Sequence, residues 1–173
     1  MDLKYRIFYF VAVLSFLCGN TKENSRGFIV NIGDSAPDFS MTFTTGETLK
    51  LSELKGTTVI LQFTASWCSV CRLEMPHLEK DIWKKYKEKN VLLIGIDRDE
   101  PLETVINFKK RMKTTYPLAL DPGAEIFSLY AERNSGVTRN IVINQTGEIV
   151  FLTRLFEEDE YKKMLKIIEN LVY

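Results

Sequence analysis

Cysteine and histidine are scarce in this chain of 173 residues, which has three of the first and one of the second. A structural zinc site needs four ligands, and no part of the chain can supply them. A disulfide framework that staples a small core is excluded by the same scarcity. An excess of charge of either sign is absent too, since 23 Lys and Arg balance 23 Asp and Glu. No basic field therefore argues for nucleic acid, and no acidic one for a cationic partner. Long apolar runs are missing: the stretch from Ile7 to Leu17 is too short to cross a bilayer. Internal repeats and low-complexity segments are absent as well. With 45% hydrophobic residues the chain suits one domain with a full core.

What the chain does contain is Trp67-Cys68-Ser69-Val70-Cys71, a C-x-x-C pair between two contrasting patterns. Upstream, Val59 to Phe63 is a nearly unbroken apolar run, as in a strand covered on both faces. Downstream, Met75, Leu78, Ile82 and Tyr86 recur at helical spacing. One turn back from Met75 lies Cys71, so the second cysteine continues the core-facing stripe and is expected to be buried. Cys68 falls at the first turn, where free backbone N–H groups and the helix dipole favour a thiolate. That order of strand, cysteine pair and helix points to two-electron thiol chemistry, with Cys68 attacking and Cys71 resolving. Metal binding or a purely structural role is the competing reading of the pair. Glu74, one turn past Cys71, has its carboxyl within reach of the thiols. Pro76 sits inside the helical pattern and is expected to kink it, while His77 reads as a solvated helix residue.

The run Phe63, Trp67, Cys68, Cys71, Arg72, Glu74, Met75, Pro76 resembles the active-site segment of the thioredoxin superfamily, in its TlpA/ResA-like branch. Gly33 to Phe39, Gly46, Leu51 to Gly56, and Gly136-Val137 before a strand follow that family's order, so the resemblance covers about residues 31 to 173. It implies a thioredoxin-like α/β fold, with a central mixed sheet flanked by helices on both faces, an N-terminal β-hairpin and a central αβ insertion. It also implies a thiol-disulfide oxidoreductase, related to the AhpC/TSA group, that reduces disulfides in exported proteins and is recharged by an upstream electron donor. No cofactor or metal is expected. The resemblance makes Glu74 a proton carrier for the Cys71 thiol and Trp67 a cover over the exposed sulfur. Ser69 and Val70 set the reduction potential in part. In the branch, a cis-proline faces the thiols, and its position here is Thr138. A non-proline cis bond costs about 2.5 to 4 kcal/mol, so a trans Val137-Thr138 peptide is expected. Thr138 or Arg139 is then expected to place a polar group beside the Cys68 thiolate.

Two alternatives stay open. A peroxiredoxin-like peroxidase resembles Pro-x-x-x-Thr-x-x-Cys at its cysteine, where this chain has Leu61 and Ala65, and Arg139 faintly resembles that family's arginine. A copper-binding chaperone on the same fold uses Cys-x-x-x-Cys and a distant histidine, and this sequence matches neither.

At the N-terminus, Lys4 and Arg6 precede the short apolar run, as in a signal segment. The run ends at Cys18, which resembles a bacterial lipoprotein cleavage site apart from Leu17, where a small residue is usual. The expected organisation is a signal or lipoprotein segment over 1–18, a polar tether over 19–30 and the thioredoxin-like domain over 31–173. The protein would then be exported to the periplasm or cell envelope and lipid-anchored at Cys18. A simple signal peptide is the competing reading.

Overall fold

The computed structural model describes residues 26–172. The signal-like segment and Cys18 lie outside the described residues. The apolar run expected to be a doubly covered strand is β3 (Thr58–Thr64), buried at every position. Its side chains alternate between two cores. Val59, Leu61 and Phe63 enter one, and Ile60 enters the other, as the period of two requires.

Around β3 a mixed sheet of seven strands forms in the order β2-β1-β5-β4-β3-β6-β7. Its members are β1 (Ser40–Phe43), β2 (Thr48–Lys50), β4 (Val91–Arg98), β5 (Leu118–Asp121), β6 (Arg139–Ile143) and β7 (Ile149–Arg154). β3, β4 and β5 run parallel. The other neighbouring pairs are antiparallel. The crossover from β3 to β4 carries α1 (Ser69–Leu78) and α2 (Lys84–Tyr86), and that from β4 to β5 carries α3 (Leu102–Met112). Both crossovers step the same way across the sheet, so right-handed connections put their helices on one face. The C-terminal α4 (Glu158–Val172) joins them there: Met75, Leu78, Phe108, Met164 and Ile168 share one core with Ile60 and Val142.

The opposite face is covered by shorter helices of 3-10 type and by loops. The sequence pattern predicts that Asp121-Pro122-Gly123 turns into a helix through about Ala131, but the structure has two short 3-10 turns there, Pro122–Ala124 and Phe127–Leu129. Gly123 and Ala124 both have positive φ, which breaks a helix before it can propagate. The Asp121 carboxylate then accepts the N–H groups of Ile126 (2.7 Å) and Phe127 (2.9 Å) and restarts the chain. Residues 28–30, assigned to the tether from sequence, also cover this face. Phe28 and Val30 are buried in its core, and Phe28 bridges to Ala131.

Pro76 does not end the helix that carries it. α1 continues to Leu78 and opens into a π-helical turn at Glu79–Trp83 before α2, a widening often found where a helix bends.

Candidate active site

β3 ends at Thr64, and the chain reaches the N-terminus of α1 through Ala65, Ser66 and Trp67. Cys68 is the cap residue of α1: its Sγ accepts the Cys71 N–H at 3.1 Å. That bond supplies one of the donors a helix start leaves unpaired, aimed at the sulfur where negative charge would develop. The two sulfurs are joined as a disulfide. They differ in access, Cys68 being 8% exposed and Cys71 fully buried. Trp67 is 61% exposed beside them and lies outside the packed core.

Thr138, just before β6, comes up to both sulfurs. Its Oγ1 is 3.0 Å from Cys68 Sγ and 3.2 Å from Cys71 Sγ. The described residues contain no cis peptide bond, so the Val137-Thr138 peptide is trans as expected. The Thr138 carbonyl is held from the far side by the Leu155 N–H at 3.2 Å and Arg154 Nη1 at 3.4 Å. Gly136 lets Arg154 approach this closely, since a Cβ there would collide with Arg154 Nη2.

Arg139 does not join the thiols, and the expectation that it sits beside them is corrected. Successive strand residues face opposite ways, and Arg139 points to the aromatic part of the core, at Phe28 and Phe127. Its guanidinium lies 4.4 Å from the centre of the Phe28 ring, and Nη2 donates to the Arg26 carbonyl at 2.9 Å. Burial, together with Arg154 and Arg26, lowers its pKa to about 10. Its Nε and Nη1 have no hydrogen-bond partner, so Arg139, the residue that faintly resembles a peroxidase arginine, bonds neither sulfur.

Glu74 shares the buried side of α1 with Cys71 and Met75 and is 1% exposed. Its carboxyl is met by two amides: Asn140 Nδ2 donates to Oε1 at 2.6 Å and Gln62 Nε2 to Oε2 at 3.3 Å. The Tyr116 hydroxyl donates to Gln62 Oε1 at 2.7 Å, and Asn140 Nδ2 also reaches Thr153 Oγ1 at 2.8 Å. Desolvation raises the Glu74 pKa to about 7 against the opposing pull of the two amides. A carboxyl in that range can give or take a proton near neutrality. His77 lies away from this network, with its ring 4.9 Å from that of Phe156.

Sequence reasoning missed Gln62, Asn140 and Tyr116. The first two carried a signal: each is a polar side chain inside an otherwise apolar strand, where an unpartnered amide would be costly. Ser69 and Val70 occupy the first turn of α1, and Val70 packs against the core.

The AhpC/TSA family model matches residues 32–152. Thiol-disulfide oxidoreductase ResA of a Bacillus cereus strain is 34% identical over 153 residues, spanning 85% of this chain and 87% of its own. ResA of Halalkalibacterium halodurans is 36% identical over 122 residues, 70% of this chain and 68% of its own. Among solved structures, a candidate protein disulfide isomerase from Bacteroides thetaiotaomicron superposes with a TM-score of 0.82. It is 55% identical and covers 84% of this chain and 92% of its own. A candidate thiol:disulfide interchange protein DsbE from Chlorobium tepidum gives a TM-score of 0.71 at 27% identity, covering 82% and 99%. A dithiol-disulfide pair at the start of a thioredoxin-like helix, with relatives of this kind, makes the protein a thiol-disulfide oxidoreductase. The chain belongs to the AhpC/TSA family, on its ResA-like side.

Proposed function

We propose that the protein reduces disulfides in exported proteins, with Cys68 as the attacking sulfur, Cys71 as the resolving one and Glu74 as the proton carrier. The observation that carries the assignment is the unequal access of the two sulfurs, 8% against none. The Cys68 thiolate attacks a substrate disulfide, forming a mixed disulfide and releasing one substrate thiolate. The Cys71 thiol gives its proton to Glu74 and attacks Cys68 Sγ. This expels the second substrate thiolate and leaves the Cys68–Cys71 disulfide. Two electrons pass to the substrate, and a separate thiol donor restores the dithiol. Thr138 Oγ1, within 3.2 Å of both sulfurs, donates a hydrogen bond to whichever carries the charge. Trp67 supports substrate docking through the apolar surface it exposes next to Cys68.

The test is trapping. Cys71→Ser accumulates mixed disulfides with substrate proteins and Cys68→Ser does not, while each loses turnover. Equal trapping by both variants overturns the division of labour.

The same reading places the protein at the cell envelope with a lipid on Cys18, supported by the short charged and apolar segment before that residue. Mass spectrometry of the mature protein gives an acylated Cys18 at the N-terminus. An unmodified N-terminus beyond residue 18 contradicts it.

A further inference from the structure

A second buried acid stands behind the active-site loop. Asp97, on β4, lies level with Thr64 of β3 and Leu120 of β5 and is fully buried. Neither of its carboxyl oxygens meets a donor. The hydrogen-bonding group it faces is another acid, Glu100. An ionised carboxylate in such a place would be uncompensated, so the pair has to share a proton.

The position of that proton follows from the partners of Glu100. Its Oε2 accepts the Ser66 backbone N–H at 2.5 Å and its Oε1 accepts the Ser66 hydroxyl at 2.6 Å. Both oxygens of Glu100 thus act as acceptors toward Ser66, which leaves the proton on Asp97. The Ser66 carbonyl is held in turn by Arg72 Nη1 at 2.8 Å. Ser66 is thus gripped at three atoms, two residues before the accessible sulfur, and two of those grips belong to Glu100.

We propose that Asp97 is a positioning residue for the active-site loop: its O–H donates to the Glu100 carboxylate, which fixes Ser66, and loss of that proton releases the grip. Once both carboxyls are charged they repel, and Glu100 must move or leave Ser66. Burial raises the Asp97 pKa to about 8, and the charged groups that add to the rise are acidic, Glu100 first and Asp121 after it. Neighbouring cations are engaged elsewhere: Arg98 donates to the carbonyls of Arg133 and Ser135, and Arg72 to that of Ser66. The pH response of the site would then have an alkaline limb that belongs to no thiol.

The kinetic consequence rests on Cys68 being the attacked sulfur, and the structural one does not, so two measurements separate them. Both use the full chain in its disulfide form, where neither cysteine titrates. In the first, amide shifts of Ser66 and Trp67 are followed by NMR from about pH 6 to about pH 9.5. Wild type shows a step centred at about 8, and Asp97→Asn, which still donates to Glu100 but holds no titrating proton, shows none. Glu100→Gln, a second variant, moves the step to lower pH by removing the negative neighbour. In the second, dithiothreitol reduces wild type and Asp97→Asn across the same range, and the ratio of rates cancels the ionisation of the reductant. The ratio of variant to wild type is flat below about pH 7 and rises about threefold or more by about pH 9, about 0.65 kcal/mol in barrier. A Ser66 step that persists in Asp97→Asn, or its absence from wild type, overturns the positioning role. A flat ratio beside the expected amide step overturns its bearing on catalysis.

Discussion

Two elements packed against β3 each bury a carboxyl, and they treat it in opposite ways. On α1, Glu74 is received by amides from β3 and β6, and a tyrosine behind one of them completes the chain of donors. On β4, Asp97 receives no donor and faces a second acid. Burial raises both, to about 7 and about 8. The difference lies in what the neighbours allow. The amides around Glu74 can donate to the charged form and keep both protonation states accessible. The surroundings of Asp97 favour the neutral form. A group to be ionised repeatedly needs the first environment, and one that holds a structural proton suits the second.

The sharpest break of this comparison is Glu74→Gln. It keeps the shape and a hydrogen-bonding end but removes the proposed proton carrier, so turnover at about pH 7 falls about 100-fold. The neutral limb of the pH–rate profile disappears with it. A variant that keeps wild-type turnover and profile would make Glu74 a packing residue.

Stability against pH gives the next effect. Because the folded pKa of Glu74 is raised, the folded protein holds its proton over a range where the unfolded chain has lost it, and stability falls as pH rises. From the ordinary value of 4.5 to about 7, the loss is roughly 3 kcal/mol relative to Glu74→Gln. Urea unfolding of both proteins at about pH 4 and about pH 8 reads it. A gap between the two that does not change with pH contradicts the raised value.

Removing one amide sharpens the contrast by making Glu74 more like Asp97. Asn140→Ala deletes the 2.6 Å donor, so the neutral limb moves to higher pH and the protein loses about 1 to 3 kcal/mol, both read in the same assays. Tyr116→Phe is milder. It takes away only the donor to Gln62 and costs about 1 kcal/mol, with the pH profile nearly unmoved.

How far this is legible in the sequence differs from one element to another. The strand before the cysteines, the burial of Cys71 and the helix-capping place of Cys68 follow from periodicity, because one turn of helix links Cys71 to Met75 whatever the rest of the chain does. The N-terminal hairpin and the β6–β7 hairpin follow from Gly46 and Gly147 between alternating runs. The segment after Asp121 reads as a helix and is not one. Ala124 to Ala131 has a composition that suits a helix, and the positive φ of Ala124 has no signal in its residue type. Arg139 is misplaced for a related reason: the sequence shows that it adjoins Thr138, but the side of the sheet it takes depends on where β6 begins. The partners of Glu74 and the Asp97–Glu100 pair come from residues far apart in the chain, and only the register of β3 with β4 and β6 brings them together.

The most direct measurement is the titration of the Glu74 side-chain carboxyl by carbon-13 NMR in the disulfide form, where no thiol interferes. A midpoint at about 7 is predicted for wild type, moving upward in Asn140→Ala. A midpoint at the ordinary glutamate value of 4.5 would contradict the claim that this site holds a carboxyl ready to exchange a proton with the buried sulfur.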